Sequence, residues 1–331
     1  MNSENKNILV TGGAGFIGST LVRELLKDKA NVIVYDNFLI GDTFNLEEIR
    51  DDVKIVIGNI LDKNLKHVLQ KNNIEFIFNL AAEPYIPACY DRPEHFFEIN
   101  ANGTLNVLLS AKATGVTRVL HYSTSEVYGT AVQLPMSESH PTNPQSTYAV
   151  SKLAADRLCY TLHHEQGIPV IVLRQFNVFG PRETQPYVIP EIISQLHRGN
   201  KLVLGNIKSR RDFTYVTDAS QAAMELIKYK EAEGHVYNSG TGIDQSIEEI
   251  ARITGEIIGH PNVEISTHPA RMRPLDVDHL RCDNSKLVAL TGWKPKTDFR
   301  EGMKLTIENF RNNGKRWIWE SKIRSEEKMW Q

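Results

Sequence analysis

The sequence predicts an α/β protein in which a doubly wound parallel sheet carries a smaller C-terminal α/β domain. Two observations predict it. Short apolar runs alternate with amphipathic segments through the first half of the chain, a pattern that buries a parallel sheet beneath helices on both faces. The first run leads straight into a glycine turn, Gly12-Gly13-Ala14-Gly15-Phe16-Ile17-Gly18, and then into a helical pattern.

Strands are expected at 7–11, 31–36, 53–58, 75–82, 118–123 and 169–177, each an apolar run rich in Val, Ile and Phe. The amphipathic segments 18–28, 94–114 and 146–166 lie between them. Two of these stop at a glycine, Gly115 and Gly167, as helices commonly do. After Gly180-Pro181 the texture changes, with fewer β runs, isolated prolines and more arginine. This second part reads as the smaller domain, with some segments returning to the first. The tail holds Trp317, Trp319 and Trp330, which read as a terminal helix anchored on the body or as an oligomer contact.

At 331 residues the chain suits one large or two modest domains. A formal net charge of −2 supplies no basic field for nucleic acid or an anionic membrane. Cys89, Cys159 and Cys282 stand far apart without metal-ligand spacing. They read as free thiols in a reducing compartment, and no metal is expected. His163-His164 reads as helix surface. The N-terminus lacks an apolar stretch long enough for a signal or a span, which places the protein in the cytoplasm.

The glycine turn carries the spacings Gly13, Gly15, Gly18 and Gly12, Gly15, Gly18. Glycines there permit a tight turn, admit a pyrophosphate close to backbone N–H groups and bring helix against strand. The helix N-terminus then favours the phosphate charge. Asp36 ends the second predicted strand, where a carboxylate accepts hydrogen bonds from an adenosine ribose. It would repel a 2′-phosphate, and Asn37 and Phe38 offer no compensating arginine. The expected cofactor is NAD.

Tyr148 and Lys152 lie four positions apart on a predicted helix and so share a face. A free phenol has a pKa of about 10, and a neighbouring ammonium would lower it toward a usable base. The stretch "YSTSEVYG", 122–129, closes the fifth predicted strand and places Glu126 just past Ser123 and Thr124. Glu126 has two readings: an acid in a capped helical first turn, or a catalytic carboxylate.

Taken together, these motifs resemble the extended short-chain dehydrogenase/reductases. The resemblance spans nearly the whole chain, through "NLAA" (79–82), "NANGT" (100–104), "RQFNVFGP" (174–181), "RRDFTYVTD" (210–218) and "RPLDVDHLRCDNSK" (273–286). It implies a Rossmann-like NAD-binding domain over 1–180 and a nucleotide-sugar-binding domain over 181–331. It implies cofactor contacts from Gly12, Gly15, Phe16, Ile17, Gly18, Asp36, Asn37, Leu80, Ala81, Ala82, Asn100, Tyr148 and Lys152. Asn59 and Ile60 would meet the adenine, although many relatives carry Asp at position 59. Asn177, Arg211 and Arg273 would hold the substrate diphosphate, a role that suits the arginine fork. The helical segments 94–114 and 146–166 would pair across a homodimer axis. The triple Thr124-Ser125-Glu126 is similar to that of nucleotide-sugar 4,6-dehydratases, which implies catalytic roles for all three with Tyr148 and Lys152. Glucose-type dehydratases have Asp where Ser125 stands. The triple is also similar to that of UDP-glucuronate decarboxylases, and a 4-epimerase is a further alternative. A dinucleotide-binding regulator of the same fold would have no use for an intact Thr124, Tyr148 and Lys152.

Overall fold

The apolar runs become strands because the inner strands of the central sheet are buried on both faces. The structure, a computed structural model, describes residues 3–313. Trp317, Trp319 and Trp330 lie outside the described residues. The large sheet is formed by β1 (Asn7–Thr11), β2 (Asn31–Asp36), β3 (Lys54–Ile57), β4 (Phe76–Asn79), β5 (Arg118–Thr124) and β6 (Val170–Gln175). The chain then leaves it for β7 (Asn177–Phe179), β8 (Lys201–Leu204) and β9 (Arg210–Tyr215). It returns as β10 (Val236–Ser239) before β11 (Asp244–Ser246) and β12 (Glu264–Thr267). The seven-stranded order is β10-β6-β5-β4-β1-β2-β3, and every pairing in it is parallel.

Alternate residues of each strand feed opposite layers, as a pleated sheet requires. Ile8, Val10, Phe76, Phe78, Leu120, Ile171 and Leu173 face one core. Leu9, Ile77, Val119, Val170 and Val172 face the other. The first core is covered by α1 (Phe16–Lys27), and the second by α2 (Leu65–Lys71) and by helices that follow α3 (Ile86–Cys89) and α4 (Pro93–Phe97). Those helices are α5 (Thr104–Thr114) and α6 (Thr147–Gln166). Beyond residue 180 come α7 (Val188–Leu196), α8 (Val216–Leu226), α9 (Ile247–Ile258), α10 (Ser285–Thr291) and α11 (Phe299–Asn313). Of these, α8 and α10 pack on the first core. Helices α7, α9 and α11 close a separate core with β8 and β9. Among the described residues no helix is long and apolar enough to cross a membrane.

Three expected elements differ by more than a shift of a residue or two at their ends. The strand expected at 75–82 ends at Asn79, because Leu80 and Ala81 turn their N–H groups back to the Thr11 hydroxyl at 3.1 and 3.2 Å. The strand expected at 169–177 is two strands. It breaks at Phe176, whose N–H donates to Ser239 O at 2.8 Å, and β7 continues in a smaller sheet with β9 and β11. The helix expected at 94–114 has a π-helical turn, Glu98–Gly103, between α4 and α5. Inside that turn Asn100 is drawn to the backbone of Glu83, accepting from its N–H at 2.8 Å and donating to its carbonyl at 3.1 Å.

Candidate functional site

The sheet order reverses at β1, which pairs with β2 on one side and β4 on the other. In open α/β sheets ligands bind at such a switch, beyond the carboxyl ends of the strands. A cleft of about 1110 Å³ opens there. Gly12 has φ +69°, and a methyl on it would sit 2.8 Å from Ala81 N. A methyl on Gly18 would run into the Gly12 carbonyl. These glycines are therefore required by backbone packing and not only by a ligand. No side chain caps α1 at Gly15, and its first turn holds no acid, so the first N–H groups are left to the cleft. The turn is a ready anion cradle, and a dinucleotide pyrophosphate fits it.

The Asp36 carboxylate accepts from Ala14 N–H at 2.9 Å and from Phe38 N–H at 2.8 Å. Burial raises its pKa despite those donors, and the group remains on the cleft wall. Asn37, Asn59, Ile60, Leu80, Ala81, Ala82, Phe16 and Ile17 share that wall. Asn59 spends its side-chain oxygen on Leu61 N–H at 2.9 Å, so it shapes the turn that presents Ile60. Asn100 is placed differently from these residues. Its side chain is buried and committed to Glu83 and to the Ser151 hydroxyl at 2.9 Å, off the cleft wall. It supports the site from behind.

At the chemical end β5 delivers Thr124, and α6 delivers Tyr148 and Lys152, all onto the cleft. The Ser146 hydroxyl caps α6 by accepting from Ala149 N–H at 3.1 Å, which fixes where the helix starts. Glu126 stands both at a capped turn and on the cleft. The Thr124 hydroxyl accepts its N–H at 3.2 Å, capping a single 3₁₀ turn, Ser125–Tyr128, while the Glu126 carboxyl lies on the cleft wall. Ser125 is buried and is not part of the cleft lining.

The Tyr148 phenol is buried beside Thr124 and Glu126. Burial raises the Tyr148 pKa, a hydrogen bond with Thr124 opposes this, and the nearby Glu126 charge raises it further. The Lys152 ammonium donates to the Tyr122 carbonyl at 2.6 Å. Burial lowers the lysine's own pKa to about 8, with Cys159 and Asp156 opposing. Asp156 is fully buried, one turn along α6, and takes two hydrogen bonds from Arg174 at 2.8 and 3.1 Å and one from Ser123 at 3.1 Å. That pair locks α6 to β5 and β6.

The far end of the cleft is lined by arginines. Arg211 on β9 is buried, 3.5 Å from Asp276, and lies within electrostatic reach of Glu126. Arg273 stands 4.0 Å from the same Asp276, and Asn177 joins the wall with its buried side-chain oxygen unpartnered among the described residues. Arg271, Tyr85, Glu183 and Tyr187 also line it and were not anticipated. Glu183 and Tyr187 belong to a segment between β7 and α7 with no regular structure, so no periodicity marks them. Glu83 is on the wall, with His95 at 3.3 Å.

Residues 9–306 match the family described as GDP-mannose 4,6 dehydratase. A UDP-N-acetyl-alpha-D-glucosaminuronate decarboxylase of Bacillus cytotoxicus is 34% identical over 325 residues, covering 92% of this chain and 98% of that protein. The solved structure of epimerase Mth375 from Methanothermobacter thermautotrophicus superposes with a TM-score of 0.89 at 30% identity, covering 96% of this chain and 95% of that one. DesIV, the dTDP-glucose 4,6-dehydratase of Streptomyces venezuelae, solved with NAD and TYD bound, gives 0.87 at 30% identity, covering 94% and 98%.

Proposed function

The chain belongs to the nucleotide-sugar enzymes of the extended short-chain dehydrogenase/reductase family, and from that premise we propose that it is an NAD-dependent nucleotide-sugar 4,6-dehydratase. The observation that carries the reading is a carboxylate, Glu126, on the cleft wall within electrostatic reach of the Tyr148 phenol. A 4-epimerase needs only a base for the C4 hydroxyl. A second base beside the first has a use once C4 is a ketone, because the C5 proton has then become acidic.

The residues divide the work. Gly12, Gly15 and the uncapped start of α1 hold the pyrophosphate of NAD, while Asp36 takes the adenosine ribose and disfavours a 2′-phosphate. Bound there, NAD would supply the hydride acceptor for C4 and the hydride donor for C6. Tyr148 takes the C4 hydroxyl proton, with Thr124 hydrogen-bonded to it. Lys152 holds its position through the Tyr122 carbonyl. Glu126 takes the C5 proton, and water leaves from C6. Arg211, Arg273 and Asn177 hold the diphosphate.

A decarboxylase is the second reading, and one observation favours it. Arg211 lies within reach of Glu126, where a guanidinium would also hold the carboxylate of a glucuronate. Incubation with UDP-, GDP- and dTDP-hexoses and with UDP-glucuronate, followed by mass spectrometry, separates the readings. Loss of water from a hexose supports the dehydratase. Loss of carbon dioxide, or isomerisation alone, rejects it. We further propose a cytoplasmic homodimer, since Phe97, Leu109, Val150 and Tyr160 are exposed on neighbouring helices. A monomer by sedimentation would reject that assembly.

A further inference from the structure

Dehydration at C6 needs an acid as well as a base, since hydroxide is a poor leaving group and must depart as water. Ser125 cannot supply it, being off the cleft wall. Thr124 is already bonded to Glu126 N–H and to Tyr148. A second carboxyl group, however, lies in the cleft. Glu183 is 5% exposed, lines the wall, and its Oε2 has no hydrogen-bond partner among the described residues. Its sequence neighbour Arg182 does not neutralise it, for that side chain turns to the Thr20 hydroxyl on α1 at 3.4 Å. Tyr187, on the same wall, lies within electrostatic reach of both Tyr148 and Glu183.

We infer, on the dehydratase reading, that Glu183 is the catalytic acid that protonates the oxygen leaving C6. Burial pushes its carboxyl well above the usual carboxylate range, so it keeps the proton that the step consumes. Glu126, by contrast, has the Arg211 guanidinium within electrostatic reach, so the two carboxyl groups stand in different surroundings. The step balances. Glu126 removes the C5 proton, and the electron pair left behind forms the C5–C6 double bond. The C6–O bond breaks as Glu183 gives its proton to the departing oxygen, and water is released. Hydride then returns to C6 and a proton to C5. Glu183 recovers its proton from solvent when product leaves.

The test uses the hexose nucleotide that the substrate panel identifies, and the same nucleotide with fluorine in place of the 6-hydroxyl. Fluoride departs without a proton, so an acid is dispensable for it. With Glu183→Gln, water loss should fall about 100-fold or more. Deuterium from heavy water should still enter C5 of recovered substrate. Fluoride release should stay close to the wild-type rate, and Glu183→Asp, which keeps a proton, should retain part of the water loss. Water loss by Glu183→Gln at the wild-type rate overturns the assignment. So does an equal fall in water and fluoride release, which would make Glu183 a binding or folding residue. Absence of water loss from every hexose with the wild-type enzyme would instead remove the dehydratase reading, and this inference with it.

Discussion

The two ends of the cleft are built on different principles. The cofactor end is built around backbone: a glycine turn and an uncapped helix start, with the Asp36 carboxylate beside them, all within residues 12–36. The sugar end is made of side chains from β5, β9, α6 and irregular segments around residues 83, 183 and 273. Substitution should therefore act by sterics at the first end and by chemistry at the second.

The largest effect is expected at Gly18. A methyl there meets the Gly12 carbonyl, and both atoms belong to backbone that cannot yield without opening the turn. Gly18→Ala should purify with almost no nucleotide, as measured by extraction and chromatography. Full nucleotide content would show that the turn is more pliable than its packing implies. Tyr148→Phe should be the chemical counterpart. Turnover should fall about 10²–10⁴-fold, while nucleotide content and melting temperature stay near wild type. A fall in nucleotide content as large as that of Gly18→Ala would erase the distinction between the ends.

Asp156 sharpens the comparison from behind the sugar end. Burial works against its charge, but hydrogen bonds from Arg174 and Arg157 outweigh it and hold the carboxyl below its usual range. Asp156→Asn leaves Arg174 buried and unpaired, at a cost of about 3 kcal/mol at neutral pH. A folded-state pKa below the unfolded one gives stability that is complete above the unfolded value of about 3.9. That stability is lost as pH falls through the folded value. The gap between wild type and Asp156→Asn should therefore narrow below about pH 4, as read by denaturant titration. A gap unchanged into acid would place the cost elsewhere. The smallest effect is expected at Asp36. Asp36→Ala removes a ribose acceptor and should weaken NAD about tenfold, measured by calorimetry on stripped protein. Unchanged affinity would take Asp36 off the ribose.

The same difference explains what the sequence made legible. The cofactor end was readable because its parts are local: the glycine spacing has one steric solution, and Asp36 follows directly after an apolar strand. Tyr148 and Lys152 were readable because helical spacing places them on one face. The direction of the phenol's pKa was not. It depends on burial and on Glu126, which arrives from another element, while the lysine turns to Tyr122 O. Asn100 and Ser125 sit inside motifs whose neighbours reach the cleft. Which members of a motif face inward is decided by a π-helical turn and a 3₁₀ turn, and spacing does not encode either. Glu183 and Tyr187 are brought in by an irregular segment whose path is set by tertiary packing.

The central claim is that a hydride taken from C4 ends on C6. The most direct measurement is to incubate the protein with UDP-, GDP- and dTDP-hexoses carrying deuterium at C4, and to locate the label by NMR. The dehydratase account predicts a 4-keto-6-deoxy product with the deuterium in its C6 methyl group. Deuterium found back at C4, in an isomerised hexose, would contradict it.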